Sequence, residues 1–460
     1  MLGRYLPCPC DACFNYGIRQ LVDKNTPQRF RLRLVRIALG SAAIQAISRL
    51  LTLGLGILLA RGLGAEGYGV YSYAIALMTL LMVVAEAGVP TLLMREIAAS
   101  ETREEWGAVR GVLRSAGQYV GLTSTTIAAI GLLVLWPMSE VISPQAWDTA
   151  FVMLLALPLM AGANTTIFAI RGFHRIVFSQ IVDLLLRPVL PLILVFGFFW
   201  LLPEHQQPQL VMAAQLIAAL TVLILATVAL RGLTPEAVKI AVPVYNRRAW
   251  LRSAMPFTLI GGAGIINTHT DIIMLGWFTT SNEIGIYRVA VQGATLVGFS
   301  LQVVNAVVAP QFSRLHARGD LEHLQEIVTR SARWVLLLAV PVAVLLIVAG
   351  GLLLGGVFGV EFTPAHLPLA ILTLGQLANA AFGSVGPLLN MTGHEDVAAR
   401  NLWLAALLNI VLNFAFIPFF GMIGAAIATA ISMVLWNLLL YQQVKHRLGI
   451  NSTVFKLREK

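Results

Sequence analysis

Residues 39–74 read LGSAAIQAISRLLTLGLGILLARGLGAEGYGVYSYA, and this stretch decides the fold. An apolar run long enough to cross about 30 Å of hydrocarbon carries Arg49 in its middle and ends at Ala60-Arg61-Gly62-Leu63-Gly64. A second run opens at Gly69-Val70-Tyr71-Ser72-Tyr73-Ala74 and carries Glu86 before it meets Arg95. Two ionisable groups therefore stand where lipid belongs. An unpaired arginine at bilayer depth costs a few kcal/mol, so such a residue faces a partner or a water-filled pathway.

The rest of the chain repeats that pattern. Of 460 residues 58% are hydrophobic and 12% charged, about half the usual charged share of a soluble domain. Twelve apolar runs of roughly 17 to 25 residues leave no room for a soluble domain. The expected fold is an all-α polytopic membrane protein, with 12 transmembrane helices in two six-helix lobes around a central cavity.

The net charge of +10 does not point to nucleic acid, because of where the charges fall. All but four of the 32 Lys and Arg lie in the two tails and in alternate loops; the exceptions are Arg49 and Arg187 inside spans and Arg61 and Arg288 in the opposite loops. The positive-inside rule then puts both termini in the cytosol. Cys8, Cys10 and Cys13 sit in a tail assigned to a reducing compartment, which argues against disulfides. They also lack the fourth ligand of a closed zinc site. No cleavable signal peptide is apparent, since polar residues follow Arg4.

In order, residues 1–36 form a basic cytosolic tail, 37–232 the first lobe, 233–252 a cytosolic inter-lobe loop, 253–444 the second lobe and 445–460 a cytosolic tail. Span 2 is expected over about 70–93, followed by an amphipathic surface helix from Ala98 to Arg114. Span 5 carries Asp183 and Arg187 before Pro188 and Pro191, which should bend it. Span 7 holds Asn267-Thr268-His269-Thr270-Asp271, the most polar intramembrane segment, and is expected to line a cavity. Spans 11 and 12 include Asn409, Asn413, Pro418, Gly421 and Gly424, suited to close helix packing. Gly69-x-Tyr71-x-x-Ala74 recurs as Gly285-x-Tyr287-x-x-Ala290, each copy opening an even-numbered span. That implies two parallel repeats related about the membrane normal.

Helical rise places Arg49 and Arg187 roughly 16 Å in from the inner surface. Asp183 and Arg187, four apart, either neutralise each other or line the cavity. Arg49 has no local partner; it pairs across helices with Glu86 or Asp271, or it presents its planar fork to a phosphate. Asp271 with His269, and Glu86 and Asp183, are candidates for H+ or Na+ coupling or for charge partners. No Gly-x4-Gly-Lys-Ser/Thr loop is present, so ATP is not hydrolysed by that route. No outer loop is long enough to hold a catalytic cluster, which disfavours a membrane glycan polymerase or ligase.

These residues resemble a known family. Ala60 to Gly64, Gly67-Tyr68-Gly69-Val70-Tyr71, Glu86-x-Gly88 and Arg95 are similar to the opening of the polysaccharide flippases of the multidrug/oligosaccharidyl-lipid/polysaccharide (MOP) exporter superfamily. Pro256, Asp271, Gly285-Ile286-Tyr287, Pro310, Gly319-Asp320, Pro341, Asn409, Asn413 and Pro418 continue the likeness in order, over about residues 37–445. The resemblance implies a flippase carrying polyprenyl-diphosphate-linked saccharide units across the bacterial inner membrane by alternating access. Arg49 and Arg187 would then meet the diphosphate. No cofactor is implied, and the expected partners are the lipid-linked saccharide, the bilayer and polysaccharide assembly proteins. A drug or cation antiporter of the same superfamily is the alternative; the peptidoglycan-precursor flippase carries further helices that this sequence lacks.

Overall fold

The computed structural model describes residues 26–201, 204 and 206–453. The three cysteines and most of the N-terminal tail lie outside the described residues. Among those described there is no strand, and nine helices are long and apolar enough to cross a membrane.

Thirteen helices matter here. In the N-terminal half they are α1 (Thr26–Glu86), α2 (Val89–Thr102), α3 (Trp106–Leu135), α4 (Pro144–Gly172), α5 (Ile176–Leu201) and α6 (Pro208–Leu233). A short α7 (Glu236–Ile240) lies in the connection. The C-terminal half comprises α8 (Arg247–Phe278), α9 (Ser281–Ala317), α10 (Leu321–Val357), α11 (His366–Phe382), α12 (Val385–Met391) and α13 (Glu395–Leu448).

Two of these helices are broken by glycine. Gly64 in α1 (φ 68°, ψ 179°) and Gly421 in α13 (φ 53°, ψ −131°) take backbone angles that a side chain disfavours. Each break frees N–H groups at the start of the following segment, and each is met by a carboxylate. Glu361 accepts from the Ala65 amide at 3.2 Å, and Glu283 accepts from the Met422 amide at 3.3 Å. A negative charge at a helix N-terminus is favourable on both hydrogen-bond and dipole grounds.

Several boundaries differ from the sequence-based expectation. The second span stops at Glu86, because Ala87 (φ 42°) and Gly88 (φ 69°) turn the chain before Pro90 can join a new helix. The expected surface helix from Ala98 to Arg114 is instead split by a turn at Glu104 (φ 58°), so Arg110 and Arg114 belong to the first turns of α3. Arg288 is not in a loop: α9 begins at Ser281 and carries it well inside the helix. In α5 the turn over Ile181–Leu186 is a π-helix directly before Arg187-Pro188, a widening that goes with the bend expected from the prolines.

The halves meet where α1 packs on α9 and α8. The two copies of the glycine motif face each other at this seam. A Cβ added to Gly69 would lie 1.7 Å from the Ser281 carbonyl oxygen, and one on Gly285 would lie 1.9 Å from that of Ala65. Backbone therefore touches backbone, an approach open only to glycine. Arg61 extends the seam by donating to the carbonyl of Val357 at 2.7 Å and to that of Gly356.

Candidate functional site

Asp271, in α8, is 5% exposed. Its carboxylate accepts from the Tyr287 hydroxyl of α9 at 2.7 Å, from the Asn413 amide of α13 at 2.7 Å, and from the Thr429 hydroxyl across the α13 break. The Asn413 amide also donates to Asn409 at 3.0 Å, and Asn409 to Thr429 at 3.4 Å. Every donor to the carboxylate is neutral. A buried carboxylate is normally matched by a cation, and hydrogen bonds alone leave its formal charge in place. The side-chain oxygen of Asn413, Oδ1, is buried without a hydrogen-bond partner. Carboxylate, amide and hydroxyl oxygens converging from three helices are the ligand types a hard cation takes, and the same carboxylate can hold a proton.

His269 does not join this cluster. Residues two apart on a helix do not share a face, and Asp271 is bonded from α9 and α13 instead. The Nδ1 of His269 is buried with no partner, and the ring lies within electrostatic reach of Arg288. Arg288 also interacts with Tyr68, which places it between the halves beside the glycine seam.

The N-terminal half holds its own polar cluster. Asn164 of α4 donates to both oxygens of Glu86 at 3.0 Å. Asp183 is bridged by Arg187 at 3.1 Å and by Arg171 at 2.7 Å. Arg171 is held in turn by Ser179 at 3.2 Å and lies over the Phe168 ring at 4.7 Å. Arg187 lines a small void with Met160, Ala163, Gln215 and Ala218, inside the N-terminal half, and its Nη2 is buried without a partner.

Arg49 is separate from both clusters. It pairs with neither Glu86 nor Asp271, whose partners are filled from elsewhere; its guanidinium is exposed on α1 and donates to Gln302 of α9 at 3.2 Å. One turn towards Gly64, Gln292 donates to the Thr52 carbonyl at 3.1 Å. The α1–α9 seam is thus stitched by amides, with one free-facing cation at its basic end. Glu86, Asp183, Arg187, Asp271, His269 and Arg49 are brought together only in part: Asp183 meets Arg187, while Asp271 meets Tyr287 and Asn413, Glu86 meets Asn164, and Arg49 meets Gln302. Among the described residues no group of three His, Cys, Asp or Glu could hold a metal ion.

Comparison with known proteins agrees with this architecture. The family model described as "Polysaccharide biosynthesis protein" matches residues 35–316. The chain is 24% identical to a probable low-salt glycan biosynthesis flippase of Haloferax volcanii, Agl15, over 81% of this chain and 75% of that one. Among solved structures it is similar to an inward-facing multidrug resistance MATE family transporter of the MOP superfamily, with a TM-score of 0.71, 14% identity and coverage of 90% of this chain and 98% of that one. It is also similar to the Lipid II flippase MurJ in an inward closed conformation, with a TM-score of 0.68, 15% identity and coverage of 88% and 87%. The two structural likenesses concern the fold. With the family model spanning more than half of its length, this multi-pass membrane protein belongs to the polysaccharide biosynthesis protein family.

Proposed function

We propose that the protein is a flippase that moves polyprenyl-diphosphate-linked oligosaccharides across the cytoplasmic membrane by alternating access of two six-helix lobes, with both termini in the cytosol. Breaking α1 at Gly64 and α13 at Gly421, and adding α8 to the nine apolar helices, supports a count of twelve. The observation that carries the reading is the seam. Two halves meet through glycine backbone contacts and side-chain amides that can part, and an exposed guanidinium, Arg49, stands on it without a carboxylate. Such a cation suits a diphosphate headgroup, while the isoprenoid tail stays in lipid. The family and the name of the archaeal relative support the glycan cargo.

Coupling is assigned to the Asp271 cluster. Uptake of a proton or a small cation there neutralises a buried carboxylate whose side-chain donors are all neutral, and its release restores the charge. Arg187 is kept as a secondary contact for the headgroup through its unpartnered Nη2, although it faces the interior of its own half. Polysaccharide assembly proteins would receive the product.

The test is translocation of a lipid-linked oligosaccharide into protein-reconstituted vesicles, scored by its protection from an external glycosidase. Protein-dependent, Arg49-sensitive protection is expected. Efflux of small cationic drugs without any glycan movement would establish the antiporter reading, which the neutral donors to Asp271 favour; a change in glycan chain length would establish a polymerase or ligase.

A further inference from the structure

A groove of about 360 Å³ opens at the basic end of the bundle, between α2, α3 and the first turn of α8. Its walls are apolar: Leu92 and Leu93 of α2, Val112 and Ala116 of α3, and Trp250 and Leu251 of α8. It runs from Val112 to Leu122 along α3, about 15 Å at helical rise.

The groove exists because the connection between the halves is clamped to α3. The Val244 amide donates to the Gly107 carbonyl at 2.9 Å, and a Cβ on Gly111 would lie 1.9 Å from the Val244 carbonyl oxygen. This holds the start of α8 against the N-terminal half one wedge away from α2. Two polar groups mark the wedge. Arg247 is exposed at its rim, steadied by Gln118 Oε1 at 3.0 Å and by the Tyr245 ring at 5.2 Å, and it keeps further N–H donors for another acceptor. The hydroxyl of Ser115 lines the wall, buried and without a hydrogen-bond partner. The flanking segments 106–122 and 241–258 add Arg110, Arg114, Arg248 and Arg252 and contain no Asp or Glu.

The geometry points to a binding site for one anionic glycerophospholipid: an acyl chain in the groove, the phosphate on Arg247, and a glycerol-linked ester or ether oxygen accepting from Ser115. An apolar wall open to the bilayer selects a chain, and the arginine field selects a negative headgroup. The orphaned hydroxyl selects a lipid with oxygens below its phosphate. An isoprenoid diphosphate has none there. A lipid so held touches α2, α3 and α8 together and so bridges the two halves. The assignment needs only that the chain spans a bilayer and is independent of the cargo.

The test uses the full-length protein in nanodiscs of phosphatidylcholine containing chain-brominated phosphatidylglycerol or chain-brominated phosphatidylcholine. Quenching of Trp250 is read as the difference between wild type and Trp250→Phe. Preference for the brominated anionic lipid of about fivefold is expected from one favourable arginine contact. It should fall to near unity in Arg247→Gln, persist in Arg247→Lys, and vanish in Ser115→Leu, which fills the wedge, with unchanged thermal unfolding as the folding control. Equal quenching by the two lipids, or an unaltered preference in Arg247→Gln, overturns the site. Displacement of the brominated lipid by equimolar polyprenyl phosphate overturns the phospholipid as its occupant.

Discussion

Each half of the molecule holds a carboxylate among its helices, Asp183 partly buried and Asp271 fully so, and the two are treated in opposite ways. Asp183 sits between two guanidiniums, Arg171 and Arg187, at 2.7 and 3.1 Å. Asp271 has three neutral donors and an unsatisfied amide oxygen beside it. A charge already matched by fixed cations has no need of a mobile one, so Asp183 reads as architecture. A charge left unmatched is a place where a proton or cation can come and go, so Asp271 reads as machinery.

The contrast can be broken most severely at Asp271. Asp271→Asn is expected to lower coupled transport by at least ~100-fold while the protein still folds, since the amide keeps the shape and removes the charge that binding must neutralise. Asp183→Asn should do the reverse. It strands two guanidiniums, and with side-chain exposures of 16–29% the loss of stability should reach about 2 kcal/mol, below the range for a fully buried pair, and be visible as a lowered unfolding temperature in detergent. Should Asp183→Asn abolish transport at unchanged stability, the division of labour between the halves would be lost.

Smaller changes sharpen the comparison. Tyr287→Phe removes one neutral donor, worth about 1 kcal/mol, and is expected to shift the ion or proton dependence of transport by roughly fivefold with little change in maximal rate. The matching N-terminal change, Asn164→Ala, removes both hydrogen bonds that Asn164 gives Glu86 and should leave that dependence in place. Arg49→Gln should weaken apparent affinity for a diphosphate-linked substrate by about tenfold, the scale of one charge-assisted hydrogen bond, without moving the ion dependence.

The features carried by local pattern were legible in the sequence. Gly69 and Gly285 stood out as a repeat, and they prove to be where the two halves touch. Asp271 stood out as a carboxylate in an apolar run. Its donors did not stand out as donors: Tyr287 reads as part of the glycine repeat and Thr429 as an ordinary residue, and both acquire this meaning only when three helices converge. Asn409 and Asn413 looked like packing residues for the same reason. Hydropathy works against the most polar helix: α8, which carries Asp271, is absent from the nine apolar spans. His269 pairs with Asp271 only by closeness in sequence, which helical geometry undoes at a separation of two. Arg288 reads as a loop residue from hydropathy because α9 starts earlier than its apolar run, Thr280 capping the helix at Glu283.

The difference between the two carboxylates is tested most directly by reconstituting wild type, Asp271→Asn and Asp183→Asn at equal folded amounts, then imposing a proton or sodium gradient on vesicles loaded with lipid-linked oligosaccharide. Gradient-driven flipping is expected in the wild type and in whatever fraction of Asp183→Asn remains folded, and it should be absent from Asp271→Asn. Gradient-driven flipping by Asp271→Asn at the wild-type rate would contradict the assignment of coupling to the Asp271 cluster.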